Sequence, residues 1–297
     1  MKKFISIAIL FLIIAAGCIN CSAADEPPVR YAFDWHDFFK VDGSTTTEPM
    51  TLSLAIDLVG VENGLFDEYQ SPRIKHNKTH QAFMNLVNGT ADIIFITYPS
   101  EDELEYAQSM GVELESYPVA NDAFVFLGNI DNPVVGLTTE QVQNIYTGEI
   151  NNWSEVGGSN SDIFRIYRNE NSGSQSEMLR FMNGKPIKSI EMDFFAMEMG
   201  RVVDSITSHQ NAVDAIGYSY YFYVNQQYVS DSVKCFALDG VLPSSETIRS
   251  GEYPEVIQYY AIIRKDTPEG SFPRMLLLYL LSDDGQRSIE EIGYVGL

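Results

Sequence analysis

The chain has 297 residues, of which 41 are Asp or Glu and 19 are Lys or Arg, so its formal net charge is -22 at pH 7. Binding to nucleic acid needs clustered Lys and Arg, and this excess of acidic residues argues against it. A chain of this length exceeds one ordinary domain, and we therefore expect two.

The first residues predict export. Lys2 and Lys3 precede an uncharged apolar run at residues 4–14, and small residues connect that run to Cys18. A basic start, an apolar stretch and small residues before the cleavage point are typical of a signal peptide. We interpret residues 1–17 as a lipoprotein signal peptide and Cys18 as the lipid attachment site.

The segment that follows, residues 18–28, is interpreted as a tether. Ordinary cleavage after Ala23 or Ala24 is the alternative to lipidation. No other apolar run is long enough to span a bilayer. We therefore expect the protein at the extracytoplasmic face of the cell membrane, held there by a lipid anchor only.

Beyond the tether, segments typical of strands alternate with segments typical of helices. The strand candidates are apolar, bounded runs at residues 91–97, 123–128 and 259–264. Ser100 with Glu103, and Thr138 with Gln141, predict helix starts of the capping-box type. This alternation predicts an α/β protein with mainly parallel or mixed sheets.

The absence of a compositional linker predicts two lobes joined by structured crossing strands. The candidate crossings lie near residues 118–124 and 254–260. We expect lobe I to comprise residues 29–121 plus 256–297. Lobe II, residues 122–255, would then be an insertion into lobe I.

Three segments place small hydroxyl residues directly before a predicted helix. They are Ser44-Thr45-Thr46, Thr79, and Ser172-Gly173-Ser174. A helix N-terminus offers unpaired N–H groups and about half a positive charge, which suits an anion. Arg168, four residues before Ser172, would add a planar fixed charge. We predict that the three helix starts converge on one oxyanion.

Ordinary structural roles also account for each segment by itself. Ser and Thr are common N-caps, and Arg168 alone is explained by a surface ion pair, for example with Glu170. The combination of the three segments favours an anion site over these separate explanations.

The remaining candidate chemistry is weak. His76 and His80 have a spacing that suits zinc, but Thr79 is expected to start the helix, which leaves His76 outside it, and no third ligand is evident. We predict no metal and no cofactor.

The sequence lacks a nucleophile elbow, a Walker loop and a dinucleotide-binding fingerprint, so we do not expect an enzyme. The tyrosine-rich segment 218–228 is interpreted as strand packing.

Several longer motifs occur in order along almost the whole mature chain. They are DGSTTTEP, NGTADIIF, the segment from TGEINNW to the following GG, RNENSGSQ, AIGYSY and GYVGL. In these the chain resembles the phosphate-binding substrate-binding proteins of ABC importers, within the type II periplasmic-binding-protein fold. The resemblance implies two α/β lobes, each a mixed sheet flanked by helices, with the ligand in the cleft between them.

That resemblance also implies a receptor that hands inorganic phosphate to a membrane permease, and we expect a monomer. The residues that match the three phosphate-binding loops are Ser44, Thr45, Thr46, Thr79, Arg168, Ser172, Gly173 and Ser174, with Ser174 replacing a usual Thr. Thr97-Tyr98 stands where relatives often carry Ser-Arg or an Asp, and Glu170 is a candidate for the missing carboxylate. Thr97 can accept a hydrogen bond from the ligand but has no charge to repel sulfate.

The alternatives therefore are a receptor for sulfate, molybdate or tungstate, a phosphate-ester hydrolase, or a sensor without transport.

Overall fold

The structure is a computed structural model that describes residues 39–59, 73–188, 194–208 and 212–297. The predicted signal peptide at residues 1–17, the lipid attachment site Cys18 and the tether at residues 18–28 lie outside these residues. Within the described ranges, no helix is both long and apolar enough to cross a membrane.

The described elements alternate between strands and helices. The first half contains β1 (Val41–Gly43), α1 (Glu48–Val59), α2 (Lys78–Val87), β2 (Ile93–Thr97), α3 (Glu101–Ser109), β3 (Leu114–Asn129), β4 (Gly136–Leu137) and α4 (Thr139–Thr147). The second half contains β5 (Phe164–Arg168), α5 (Gly173–Met182), β6 (Phe194–Ala196), α6 (Met199–Ser208), β7 (Ala215–Tyr220), β8 (Val233–Cys235), β9 (Ala237–Leu238), α7 (Ser245–Arg249), β10 (Val256–Arg264), α8 (Phe272–Leu280) and α9 (Asp283–Ile292). The prediction of an α/β protein is confirmed.

The main sheet is mixed. Its strands lie in the order β1-β2-β10-β3-β7-β5-β6, and β8 pairs with β3 beside this path. β1 is parallel to β2, and β5 is parallel to both β6 and β7, whereas β10 is antiparallel to β2 and β3. Short strands β4 and β9 form a separate parallel pair.

Strand β3 joins the two halves of this sheet. It pairs with β10 along residues 114–123 and with β7 along residues 124–128. The buried core divides at the same place: apart from Phe222 and Val295, its clusters draw either on residues 39–120 and 259–294 or on residues 123–253. The fold is therefore two-lobed, and the residue-level lobe boundaries stay a prediction.

Two of the predicted helix starts are confirmed in detail. Ser100 and Glu103 form a reciprocal capping box at α3, and Thr138 and Gln141 form one at α4. In each, the hydroxyl accepts from the N3 backbone N–H and the N3 side chain accepts from the N-cap N–H, so two otherwise unpaired donors are satisfied.

A buried carboxylate lies where β3 changes partner. Asp122 accepts hydrogen bonds from the backbone N–H of Ala123 (2.8 Å), the backbone N–H of Phe222 (3.0 Å) and the hydroxyl of Tyr259 (2.7 Å). Burial raises the pKa of Asp122 to about 6, against the lowering effect of these three donors. Its hydrogen bonds connect the two crossing strands with the segment after β7.

We predict that Asp122→Asn makes the free energy of unfolding depend less on pH. The folded pKa of Asp122 lies above its unfolded value, so the folded state binds the extra proton between about pH 4 and pH 6. This group therefore stabilises the fold less as pH rises through that window, by up to about 3 kcal/mol. Asn retains an acceptor for the two N–H groups. The free energy of unfolding in denaturant, measured at pH 4, 6 and 8, should rise in the variant relative to the wild type as pH increases. A difference that is constant with pH would contradict the assignment.

Candidate anion-binding site

The predicted helix starts meet around one small pocket. Its lining residues are Ser44, Thr45, Thr46, Lys78, Thr79, Thr97, Arg168, Ser172, Gly173, Ser174, Met199 and Tyr220. The nine residues predicted from the sequence are all among them. Lys78, Met199 and Tyr220 are additions that the sequence did not predict.

The first loop leaves β1 and turns at once into a short 3₁₀ helix, Thr45–Thr47. The backbone N–H of Ser44 and the hydroxyl of Thr47 both donate to the Phe95 carbonyl, at 2.9 and 2.8 Å. The Ser44 and Thr46 hydroxyls lie 3.0 Å apart, and Ser44 makes no side-chain capping bond. N-capping therefore does not account for Ser44.

The second loop is held against the first by a buried carboxylate. Asp42 accepts from the backbone N–H of Gly43 (2.8 Å), from the backbone and side chain of Asn77 (2.9 and 2.8 Å) and from the side chain of Asn85 (2.7 Å). Helix α2 begins at Lys78, one residue before the predicted start, with Asn77 rather than Thr79 at the N-cap position. The side-chain NH2 of Asn77 donates to Asp42, and its side-chain oxygen makes no capping bond to the helix.

Arg168 ends β5 and is almost completely buried, with 5% of its surface exposed. Its guanidinium donates to the Ser174 hydroxyl (3.1 Å) and to the Ala196 carbonyl (2.8 Å). Its backbone N–H donates to the hydroxyl of Tyr218 (2.9 Å). The alternative of a surface ion pair for Arg168 is wrong, because the side chain is buried against neutral oxygens.

Burial lowers the pKa of Arg168 from its ordinary value, because the charged form loses solvation. Since guanidinium pKa values lie far above neutrality, Arg168 still carries its charge at pH 7. The site thus contains a fixed positive charge that is largely removed from water. Glu170 is exposed and does not line the pocket.

The third loop begins α5. Ser172 caps this helix, with its hydroxyl accepting from the backbone N–H of Gln175 at 3.2 Å, so capping does apply here. The capping bond leaves the Ser172 hydroxyl hydrogen available to donate. Ser174 is fully buried and accepts from Arg168, which positions the guanidinium beside the helix N-terminus.

Three hydroxyls face the first residue of α5. A Cβ on Gly173 would lie 2.5 Å from the Thr79 hydroxyl and 3.3 Å from the hydroxyls of both Thr97 and Tyr220. In the described part of the chain, the buried Thr97 and Tyr220 hydroxyls have no hydrogen-bond partner. Burial raises the pKa of Tyr220 well above its ordinary value, so its phenol stays a neutral donor. Buried donors without partners are costly, and an anion here would satisfy them.

The pocket can hold a tetrahedral oxyanion. It combines the N-terminus of α5, several hydroxyls and the buried charge of Arg168, whereas the Lys78 ammonium is paired with Glu198 at 2.6 Å. None of the described residues that line it is Asp or Glu. The charge of the lining is therefore positive, although the chain as a whole is strongly acidic.

The two histidines have different neighbours. The ring of His76 lies 2.6 Å from the Thr51 hydroxyl, and that of His80 lies 3.1 Å from a Glu103 oxygen. Among the described residues, no group of three or more His, Cys, Asp or Glu side chains is arranged to hold a metal. Neither histidine lines the pocket.

Comparison with known proteins decides the family. The model of the PBP superfamily domain matches residues 22–284 of the chain. The chain belongs to the PBP superfamily. The chain is 23% identical over 306 residues to the phosphate-binding protein PstS of Borreliella burgdorferi. This match covers 100% of the chain and 99% of the relative. The PstS protein of Bacillus subtilis is 29% identical over 170 residues, which cover 56% of the chain and 52% of the relative.

Solved structures give the same fold. A putative phosphate ABC transporter substrate-binding protein with bound phosphate, from Clostridium perfringens, has a TM-score of 0.67 and 22% identity, and the match covers 87% of this chain and 99% of that one. An ABC-type phosphate transport receptor from Vibrio cholerae has a TM-score of 0.65 and 21% identity, covering 88% and 100%. At such identities the likeness establishes the two-lobed fold of the PBP-like chain.

Sequence patterns did not identify the three additional lining residues, Lys78, Met199 and Tyr220. Lys78 directly precedes Thr79, and no motif in that segment indicates a role for it. Tyr220 lies in β7, where the sequence analysis assigned the tyrosines to strand packing. That interpretation is correct for the buried Tyr218, whereas Tyr220 lines the pocket at the end of the strand. It is wrong for the rest of the segment, because β7 ends at Tyr220 and residues 221–227 are helical.

We predict that Gly173→Ala weakens anion binding about 10- to 100-fold without unfolding the PBP-like chain. The added methyl group would enter the pocket 2.5 Å from the Thr79 hydroxyl. This overpacking would make anion binding less favourable. Gly173 does not have a positive φ, so alanine is compatible with its backbone. Calorimetric titration with phosphate measures the loss, and thermal unfolding without ligand is the check on folding. Unchanged affinity would contradict a site at the N-terminus of α5.

Proposed function

We propose that this protein is an extracytoplasmic receptor that binds inorganic phosphate between its two lobes and delivers it to an ABC importer. The observation that carries the proposal is the pocket at the start of α5, where a buried Arg168 and unpartnered hydroxyls surround Gly173. The names of the PstS relatives and the phosphate bound in the Clostridium perfringens protein support this choice of ligand.

Phosphate would complete the bonding of the pocket. The buried charge of Arg168 loses solvation on folding, and a bound dianion would offset that cost. The hydroxyls of Thr97 and Tyr220 would gain an acceptor. Because salt screens charges beyond roughly 8 Å, the acidic surface does not prevent local attraction of the anion.

We propose lobes at residues 29–121 plus 256–297 and at residues 122–255. The change of partner along β3 and the division of the core support this boundary. Ser44, Thr79 and Thr97 would then come from lobe I, and Arg168 with the start of α5 from lobe II, so that closure of the lobes assembles the site. The proposal includes a monomer, anchored through Cys18 as a lipoprotein, that contacts a permease.

We infer a receptor rather than an enzyme. Hydrolysis of a phosphate ester needs a general base or a metal near the nucleophile. The described lining contains neither a carboxylate nor a histidine that would serve as that base. Ser172, the candidate nucleophile, already accepts the capping bond from Gln175.

We predict that Arg168→Ala weakens phosphate binding by roughly 2–5 kcal/mol, because a buried charge pair is lost. Calorimetric titration of purified, ligand-stripped protein measures the effect. Arg249→Ala is the matched control, since Arg249 is exposed, pairs with Glu290 and does not line the pocket.

Absence of phosphate binding by the wild-type protein would overturn the receptor proposal. Turnover of a chromogenic phosphate ester, with or without divalent metals, would also overturn it if Ser172→Ala abolished that turnover.

A specific observation favours a second candidate, a receptor for another tetrahedral oxyanion. Thr97 is neutral and the described lining has no carboxylate. Hydrogen phosphate can donate its proton to a hydroxyl oxygen, but nothing in this lining repels sulfate, which has no proton to donate. Sulfate, molybdate and tungstate therefore remain candidate ligands beside phosphate.

We predict that Thr97→Asp increases the preference for phosphate over sulfate by about 100-fold or more. A buried carboxylate would accept the proton of hydrogen phosphate, whereas like charges opposed to sulfate cost several kcal/mol. Competition titrations with both anions measure the preference, and Thr97→Asn is the neutral control. If the wild-type protein already shows no sulfate binding, Thr97 is not the residue that sets selectivity.

A further inference from the structure

An ion pair crosses the mouth of the pocket. Lys78 Nζ lies 2.6 Å from a Glu198 carboxylate oxygen, with 47% and 60% of the two side chains exposed. Lys78 begins α2 next to the lining residue Thr79, and Glu198 directly precedes the lining residue Met199 at the start of α6. The pair therefore joins segments that face each other across the site.

The backbone of Lys78 is unusual. Its φ of +70° is in the left-handed region, where a lysine is less favourable than a glycine. Lysine nevertheless occupies this position, and its ammonium group reaches the opposite segment. A glycine there would relieve the backbone but remove the ion pair.

Two hydrogen-bond contacts to backbone carbonyls lie near the pocket. Arg180 in α5 donates to the carbonyls of Tyr98 and Pro99, at 2.7 and 3.0 Å. The side chain of Gln227 donates to the carbonyl of Thr45 at 3.0 Å. Both connect residues 122–255 to the loops of the other lobe. Together with the Lys78–Glu198 pair, they connect segments on the two sides of the pocket.

Glu198 has two opposite effects on anion binding. Burial lowers the pKa of Arg168, and the negative charge of Glu198 offsets part of that lowering, so Glu198 also reduces the positive potential of the site. Its ion pair with Lys78 instead favours the closed arrangement of the lobes. Removal of the charge would strengthen binding through the first effect and weaken it through the second.

We propose that Lys78 and Glu198 form a closure pair that slows release of the bound anion without touching it. The inference rests on the proposed function, because it assumes that the lobes separate when the anion leaves. Lys78 and Glu198 are thus positioning residues. The pair breaks on opening and reforms on closing, and its effect should appear in the dissociation rate.

The test compares Lys78→Met, Glu198→Gln and the double variant. Each single change should weaken phosphate binding about 2- to 5-fold, the range expected for an exposed ion pair, mainly through faster dissociation. The double variant should be no weaker than the singles, because both remove the same interaction. The difference between wild type and variants should shrink at high salt.

Stopped-flow dissociation and calorimetry with phosphate give these quantities. Small-angle scattering of the ligand-free protein gives a readout independent of binding, and the variants should be more open than the wild type. Lys265→Met with Glu113→Gln is the matched control, since this exposed pair, at 2.5 Å, joins two residues of lobe I and stays intact on opening.

The outcomes separate the possibilities. Tighter phosphate binding by Glu198→Gln would overturn the closure pair, because only the charge on Arg168 would then matter. A loss confined to Lys78→Met would assign Lys78 to direct contact with the anion and also overturn it. If the wild type binds no phosphate, the proposed function fails, whereas wild-type binding with unchanged variants refutes the closure pair alone.

Discussion

The site depends on the burial of one fixed positive charge. Arg168 lies at the end of β5 with its guanidinium bonded to Ser174 and to the Ala196 carbonyl, both of them neutral oxygens. A charge that is buried without a carboxylate partner is costly for the folded protein. Without ligand, the buried charge destabilises the folded protein, and a bound oxyanion would offset that destabilisation.

Local chemistry places the other groups around that charge. The carboxylate of Asp42 accepts hydrogen bonds from both Gly43 and Asn77, which connects the first two loops. Helix α5 presents its N-terminus without a side chain at Gly173, which leaves room for a ligand among three hydroxyls. Strand β3 connects the two halves of the sheet, since it pairs with β10 at one end and with β7 at the other.

Much of the fold could be predicted from the sequence because its signals are local. Alternating apolar runs and capping boxes depend on residues within a few positions of each other, and Ser100 with Glu103 formed as predicted. Tyr220 was not predicted as a pocket residue, because its role depends on where β7 ends relative to α5. The role of Lys78 likewise depends on Glu198, which is 120 residues away in the chain.

The sequence by itself determined the alternation of strands and helices, the three hydroxyl-rich helix starts and the arginine that accompanies the third. These are properties of short segments, set by side-chain chemistry and spacing. Only the tertiary structure decided that the helix starts meet, that Arg168 is buried rather than paired at the surface, and that Glu170 lies outside the site. Such facts depend on the pairing of distant strands, and the free energy that selects that pairing comes from a core assembled from the whole chain.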